Sequence, residues 1–118
     1  MQASVTELRT DIAVLHLRGE LDAETAPDLH AALANLLQRP VPRIVVDLAG
    51  LHFCDSTGLS SFIVGSQAVT ARGGWLGLAC ASLFLQQLMQ TVGLTRYFTL
   101  YADIDAAVSG CTEIPHPA

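Results

Sequence analysis

The distribution of apolar and polar residues along the chain predicts four or five short strands. Residues 5–9 and 12–18 alternate between apolar and polar side chains, and the Thr10-Asp11 pair between them suits a tight turn. These two segments are therefore predicted to form a β-hairpin. Later apolar runs lack alternation, which is typical of strands covered on both faces. The later segments are the apolar runs at residues 43–48 and 75–79 and a final edge strand at residues 98–101.

Four segments carry apolar residues three or four positions apart, the spacing of an amphipathic helix. Each segment follows a residue whose side chain can cap a helix. In the first, Asp28 lies three residues after Thr25, which predicts a near capping box, and Pro27 fits a first turn. The predicted caps are Thr25, Asp55, Ser82 and Asp103, and the predicted ends lie near Gln38, Arg72, Gly93 and Cys111.

The elements follow the order ββαβαβα(β)α, which predicts an α/β fold with a mixed, mostly parallel sheet of four to five strands and four helices. The 118 residues fit a single domain, with a core at about residues 5–111 and a frayed tail at 112–118. The connection at residues 49–54 is predicted to be a loop, anchored to the core by Leu51 and Phe53.

Right-handed crossovers bring the carboxyl ends of parallel strands to one edge of a sheet, where α/β proteins place their functional residues. Three connections are predicted to meet there: the loop containing Asp22, the turn containing Ser56 and the turn containing Ser82. We therefore expect function to lie on this edge, which is called the rim below.

Composition excludes several classes of protein. Half of the residues are apolar and only 14% are charged, which argues against disorder. The net charge is −5 and the six basic residues are dispersed arginines, so no nucleic-acid partner is expected. No apolar run approaches the roughly 18 residues that span a bilayer, and the first residues lack the basic region of a signal peptide. A cytoplasmic protein without direct membrane insertion is expected.

The residues Asp55-Ser56-Thr57-Gly58 are the strongest candidate for a functional site. They follow a predicted buried strand and begin a predicted helix, with Asp55 at the capping position. The first turn of a helix carries free N–H groups and the positive end of the helix dipole, so it can bind an anion or carry a covalent phosphate. Ser56 is therefore expected to be exposed to solvent.

A catalytic role for these residues has less support from the sequence. Ser56 could act as a nucleophile with His52 or His30 as its base, but the sequence has no G-x-S-x-G elbow around this serine. Cys54 with His52 is a weak candidate for a catalytic thiol–imidazole pair. The three cysteines (Cys54, Cys80 and Cys111) are too widely spaced for a zinc pair or a disulfide framework. No catalytic residue, metal ligand or cofactor is predicted.

Several short motifs occur together in the order and at the spacing found in one known family. They are Gly19-Glu20-Leu21-Asp22 with Thr25-Ala26, Asp47-Leu48, Phe53-x-Asp55-Ser56-Thr57-Gly58-Leu59, Gly73-Gly74, and Val92-Gly93-Leu94 ahead of Phe98. Each motif is short, but the ordered set is specific. Over about residues 5–111 the chain resembles the STAS domain, and in particular the single-domain anti-sigma factor antagonists of bacteria.

The resemblance implies a partner switch. The unphosphorylated form would bind an anti-sigma factor with serine-kinase activity and thereby release a sigma factor. Phosphorylation of Ser56, with Thr57 as the alternative acceptor, would abolish binding, and a metal-dependent protein phosphatase would restore it. Asp55, Thr57 and Gly58 would shape the turn. The partner-binding rim would comprise Glu20, Leu21, Asp22, Thr25, Ser56, Leu59 and Ser82.

Similar domains also occur as subunits of lipid-transport ATPase complexes and as scaffold components of stress-sensing assemblies. The intact Asp55-Ser56-Thr57-Gly58 motif favours the partner switch, because a purely structural subunit needs no acceptor serine. A phosphate adds about −1.5 to −2 charges at neutral pH. Beside Asp55 it would repel an acidic partner surface and be costly to desolvate against an apolar one.

Overall fold

The structure is a computed structural model that describes residues 1–9 and 11–113. Over these residues the chain forms five strands and four α-helices in the predicted order. The elements are β1 (Gln2–Arg9), β2 (Ile12–Leu21), α1 (Ala26–Leu36), β3 (Arg43–Cys54), α2 (Ser56–Ala71), β4 (Trp75–Ala79), α3 (Leu83–Thr91), β5 (Leu100–Tyr101) and α4 (Ile104–Glu113). A 3₁₀ turn at Leu94–Arg96 joins α3 to β5.

The five strands form one sheet in the order β1-β2-β3-β4-β5. β1 runs antiparallel to β2 and the other neighbours run parallel, which confirms the predicted mixed, mostly parallel sheet. The hairpin partner of Val5 is Leu15. Thr10, in the predicted hairpin turn, lies outside the described residues. β5 has two residues instead of the predicted four, because the N–H groups of Tyr97 and Phe98 bond back to the carbonyl of Leu94.

Helices cover both faces of the sheet. α1, α2 and α3 pack on one face, where Leu15 and Leu17 of β2 join the main core. α4 packs on the other face, against Ile12 and Val14 of the same strand. Apolar side chains on both faces explain why β2 shows imperfect alternation. On the α4 face the indole ring of Trp75 lies over Gly77, leaving no room there for a β-carbon.

β2 and β3 are longer than the sequence pattern predicts. The predicted loop at residues 49–54 is the second half of β3, and it pairs with the end of β2 up to Leu21 opposite Cys54. Register shifts interrupt this pairing, which explains why the segment lacks a strand pattern. The anchoring role was correct for buried Leu51 but wrong for Phe53, which is 43% exposed.

The C-terminal end of the described chain is helical for longer than predicted. Asp103 caps α4 as expected, since its carboxylate accepts a hydrogen bond from the Ala106 N–H at 2.7 Å. The helix continues to Glu113, two residues into the predicted tail at 112–118. The rest of that tail lies outside the described residues, and the extent of a single domain over residues 1–118 stays a prediction.

The two glycines between α2 and β4 are predicted to respond differently to substitution. A β-carbon on Gly74 would lie 2.1 Å from the Pro42 carbonyl oxygen, so Gly74→Ala should lower the free energy of unfolding by about 1–3 kcal/mol. Gly73 has φ +73° and open space around it, and Gly73→Asn should cost under about 1 kcal/mol because Asn tolerates this conformation. Urea unfolding measures both; equal losses would contradict the steric argument.

Candidate functional site

The turn at residues 55–58, called the Ser56 turn below, joins β3 to α2. Asp55 has extended backbone angles, and its carboxylate accepts a hydrogen bond from the Gly58 N–H at 2.9 Å. Its carbonyl accepts the first helical bond, from the Leu59 N–H at 3.0 Å. This is the geometry of a helix N-cap, so the predicted cap is confirmed.

Ser56 and Thr57 occupy the first two positions of α2, and both are exposed. Their N–H groups belong to the helix end that has no intrahelical acceptor. Their carbonyls accept hydrogen bonds from the hydroxyls of Ser60 at 2.9 Å and Ser61 at 3.1 Å. The turn therefore presents two hydroxyl side chains at the positive end of a sixteen-residue helix.

The end of β2 lies directly beside this turn. The Asp55 N–H donates to the Leu21 carbonyl at 3.2 Å, one residue beyond the last register pair of the two strands. A β-carbon on Gly58 would lie 2.7 Å from the Cys54 sulfur and 2.8 Å from the Leu21 carbonyl oxygen. Gly58 is thus required for space: it lets the first turn of α2 pack against the end of β2.

The segment after β2 is held by a reciprocal pair of hydrogen bonds. The Asp22 N–H donates to the Thr25 hydroxyl at 2.9 Å, and the Thr25 N–H donates to the Asp22 carboxylate at 3.0 Å. The predicted box of Thr25 with Asp28 was therefore wrong: Thr25 has helical angles and makes no side-chain capping bond to α1. The box lies three residues earlier, because Asp22 supplies the capping carboxylate and the Ala26 N–H bonds to its carbonyl.

The structure brings most of the predicted rim together. Glu20, Asp22 and Thr25 follow or end β2, whose last residue is fixed beside the Ser56 turn. Leu21 and Leu59 also lie there, but both are buried, so they pack beneath the surface of the rim.

Ser82 and Ser56 do not lie at the same position along the strand direction. It caps α3 through a 3.1 Å bond from the Leu85 N–H. It follows β4, whose last residue, Ala79, is in register with Asp47. β3 continues for seven residues beyond that point, to Cys54. The Ser82 turn is therefore set back from the Ser56 turn along the strand direction.

A groove next to Ser56 was not predicted from the sequence. It has a volume of about 200 Å³, and apolar side chains from two sides of the fold enclose it. Its lining residues are Ser56, Leu59, Ser60 and Ile63 of α2, with Val92 and Leu94. Val92 follows the end of α3 and is 51% exposed.

The thiol of Cys54 is not suited to nucleophilic chemistry. Burial, together with the neighbouring Asp55 carboxylate, raises its pKa to about 12. His52 is exposed on the strand, and His30 is exposed on α1. In the part of the chain that the structure describes, no three His, Cys, Asp or Glu side chains are grouped so that they could hold a metal ion.

The family model of the STAS domain matches residues 3–107 of this chain. The chain therefore belongs to the STAS domain family. The mixed five-stranded sheet with four helices fits this assignment.

Two curated relatives carry regulatory names. The chain is 31% identical over 91 residues to an anti-sigma-B factor antagonist of Listeria monocytogenes, covering 77% of this chain and 80% of that protein. It is 25% identical over 99 residues to the anti-sigma-F factor antagonist RsfB of Mycobacterium tuberculosis, covering 84% of this chain and 80% of that protein.

The fold matches solved structures of the anti-sigma factor antagonist SpoIIAA. The unphosphorylated form aligns with a TM-score of 0.77 at 22% identity, covering 97% of this chain and 99% of that chain. The phosphorylated form, described as a Bacillus cell fate determinant, aligns with a TM-score of 0.70 at 22% identity, covering 92% and 98%. At this level of identity the likeness supports the fold. Among the described helices of this chain, none is long and apolar enough to cross a membrane.

Removing the cap of α2 should destabilise the fold. Asp55→Ala deletes the acceptor of the Gly58 N–H and is expected to lower the free energy of unfolding by about 0.5–2 kcal/mol. Asp55→Asn keeps an acceptor oxygen and should cost less. Urea unfolding of the two variants checks this, and an Asp55→Ala protein as stable as the parent would refute the capping role.

The cysteines should react with alkylating agents at different rates. Cys54 is 2% exposed and has its pKa raised to about 12, so iodoacetamide at pH 8 should leave it unmodified in the folded protein. Cys80 is half-buried and should be modified first, although burial and the Asp47 carboxylate also raise its pKa. Peptide mass spectrometry gives the order of labelling; early labelling of Cys54 would contradict its buried placement.

Proposed function

We propose that this protein is an anti-sigma factor antagonist whose unphosphorylated form binds an anti-sigma factor with serine-kinase activity. Phosphorylation of Ser56 ends this binding, and a metal-dependent protein phosphatase restores it. The observation that carries the proposal is the exposed Ser56 hydroxyl on a capped helix end, in a chain whose relatives are named anti-sigma factor antagonists.

Ser56 is favoured over Thr57 by its position. Both side chains are exposed, but Ser56 lines the groove that Val92 and Leu94 help to form. A phosphate on Ser56 would stand at the edge of that groove and change the surface offered to a partner. Thr57 is the next residue along the helix and does not line this groove.

The charges around the turn support an inhibitory effect of phosphate. Glu20, Asp22 and Asp55 are all acidic and lie at the end of β2 or the start of α2. Adding about −1.5 to −2 charges there would strengthen an acidic surface and make it harder to desolvate in a complex. The partner would therefore lose affinity through repulsion and desolvation.

The folded state should tolerate the same phosphate. The N-terminus of α2 favours negative charge by about 0.3–1 kcal/mol, and the N–H groups of its first two positions lack intrahelical acceptors. The capping bond from Gly58 to Asp55 does not involve the Ser56 hydroxyl. Phosphorylation is thus expected to alter binding while leaving the fold intact, as a reversible switch requires.

The surface of this chain that binds the partner should combine an apolar groove with an acidic edge. Phe53 and Val92 are large, exposed apolar side chains near the ends of β3 and α3. Exposed apolar side chains rimmed by polar residues are typical of protein interaction sites. We expect the anti-sigma factor to place apolar side chains in the groove, where a phosphate on Ser56 would have to be desolvated. An exposed acceptor serine also favours this function over a structural role in a lipid-transport complex or a stress-sensing scaffold.

The deciding experiment combines phosphorylation with binding. The protein is incubated with ATP and the anti-sigma kinase encoded by its source organism, and the phosphate is located by mass spectrometry. One phosphate on Ser56 is expected; Ser56→Ala should abolish labelling and Thr57→Ala, its neighbouring control, should retain it. Phosphate confined to Thr57, or no phosphate, would refute the assignment.

Binding of the same partner should distinguish two Ser56 variants. Ser56→Ala should bind the anti-sigma factor about as tightly as the parent protein, because the hydroxyl is exposed. Ser56→Asp should bind at least tenfold more weakly, because it adds charge at the groove. Calorimetry gives both affinities. A Ser56→Asp protein that binds as well as Ser56→Ala would overturn the switch, provided that both variants show parental urea midpoints.

A further inference from the structure

Two register shifts interrupt the pairing of β2 with β3 near the ends of both strands. The first lies between His16 and Arg18, and the second lies between Gly19 and Glu20. Residues 18–19 of β2 therefore pair with residues 50–51 of β3 as a short ladder between two irregular points. Bulges of this kind redirect side chains and are common beside binding sites. A surface pocket lies at this segment.

The pocket has a volume of about 310 Å³ and lies on the face of the sheet opposite the main core. Leu17 and Leu51 point into the main core, so their neighbours Arg18 and His52 point to the other face. α4 packs on that face nearer the start of β2. The groove beside Ser56 shares no lining residue with this pocket. The described lining residues are Met1, Gln2, Arg18, Gly19, Gly50 and His52.

The Arg18 side chain is positioned by a glycine on the next strand. Arg18 is in register with Gly50, where a β-carbon would lie 2.8 Å from the Arg18 Cγ and 2.9 Å from the Leu17 carbonyl oxygen. The lack of a side chain at Gly50 therefore lets the stem of Arg18 lie across β3. Among the described residues no carboxylate forms an ion pair with Arg18, whereas Arg39 and Arg43 are each ion-paired. The Arg18 guanidinium can therefore bind an external anion.

Hydrogen-bond donors on the two neighbouring strands line the same pocket. Gln2 of β1 is in register with Arg18, so the two side chains share a face. His52 of β3 has no register partner, because Leu51 and Phe53 pair with consecutive residues of β2, and its side chain is exposed. None of the described lining residues is acidic, although the chain has a net charge of −5. Three strands thus contribute donors to one pocket.

We propose that this pocket binds a phosphate group, either free in solution or carried by a small molecule. The parallel N–H donors of the Arg18 guanidinium match two oxygens of an oxyanion, and the Gln2 amide and the His52 imidazole add donors for a third oxygen. A tetrahedral phosphate can accept from all three groups, whereas a planar carboxylate has only two oxygens. The pocket volume is at the lower end of the roughly 300–1,000 Å³ of ligand pockets, so the ligand is small. Glu20 does not line the pocket, and the proposal does not depend on phosphorylation of Ser56.

An amide NMR titration with inorganic phosphate tests the site, with sodium chloride at the same pH and ionic strength as the control. Phosphate should cause saturable shifts at residues 18–19 and 50–52, and chloride should not reproduce them. Saturable shifts confined to residues 56–58 would place the anion at the N-terminus of α2 and overturn the proposal. Shifts that never saturate, or that chloride reproduces, would overturn it as well.

Charge-matched variants test the assigned side chains. Arg18→Gln should weaken phosphate binding about tenfold or more, because it removes charge-assisted hydrogen bonds. His52→Gln should weaken binding about threefold, through the loss of one donor. Arg72→Gln is the control: Arg72 is exposed between α2 and β4, so the variant loses the same charge away from the pocket. It should change the affinity less than about twofold, since salt screens distant exposed charges. With parental amide spectra confirming the folds, equal effects of Arg18→Gln and Arg72→Gln would refute the site.

A comparison of three probes distinguishes the source of the phosphate. Tighter binding of glycerol 3-phosphate than of inorganic phosphate would support a carried phosphate, and equal binding would support the free ion. Glycerol alone should cause no saturable shift at residues 18–19 and 50–52. If glycerol binds there as tightly as glycerol 3-phosphate, the pocket does not recognise phosphate and the proposal fails.

Discussion

The arrangement of the site depends on the parallel pairing of β2 with β3 beyond the point where β4 ends. This pairing continues through register shifts to Leu21 opposite Cys54, and the bond from the Asp55 N–H to the Leu21 carbonyl extends it into the turn. Because Gly58 has no side chain, the first turn of α2 can pack directly on that junction. The position of Ser56 is thus set by backbone contacts rather than by its own side chain.

The hydrogen bonds that cap the helices around the site do not use the Ser56 hydroxyl, the group proposed to be phosphorylated. Asp55 holds α2 and Asp22 holds the start of the α1 region, and both use carboxylates that a phosphate on Ser56 would leave in place. The exposed hydroxyl contributes little to the fold, since its neighbours carry the hydrogen bonds. The proposed phosphorylation of Ser56 would then change the surface charge without first unfolding a helix.

Much of the fold could be predicted because local chemistry and hydrophobic pattern agree. The caps at Asp55 and Ser82 and the buried run of β4 all matched the structure. The second half of β3 could not be predicted, because its strand conformation comes from pairing with β2 across irregular register. Thr25 was wrongly predicted to form a capping box with Asp28, because Asp22 with Thr25 also fits the motif. Only the hydrogen bonds identify Asp22 as the acceptor. The groove beside Val92 depends on where the segment after α3 lies relative to α2, which spacing along one helix does not reveal.

The single tryptophan has a consequence for spectroscopy. Trp75 packs over Gly77 on the α4 face, in register with Arg43 at the start of β3, while Ser56 follows the other end of that strand. β3 has 12 residues, so at about 3.3 Å per residue its two ends are at most roughly 36 Å apart. Indole emission therefore reports the docking of α4, and a chromophore for events at Ser56 has to be introduced nearer to that end of the sheet.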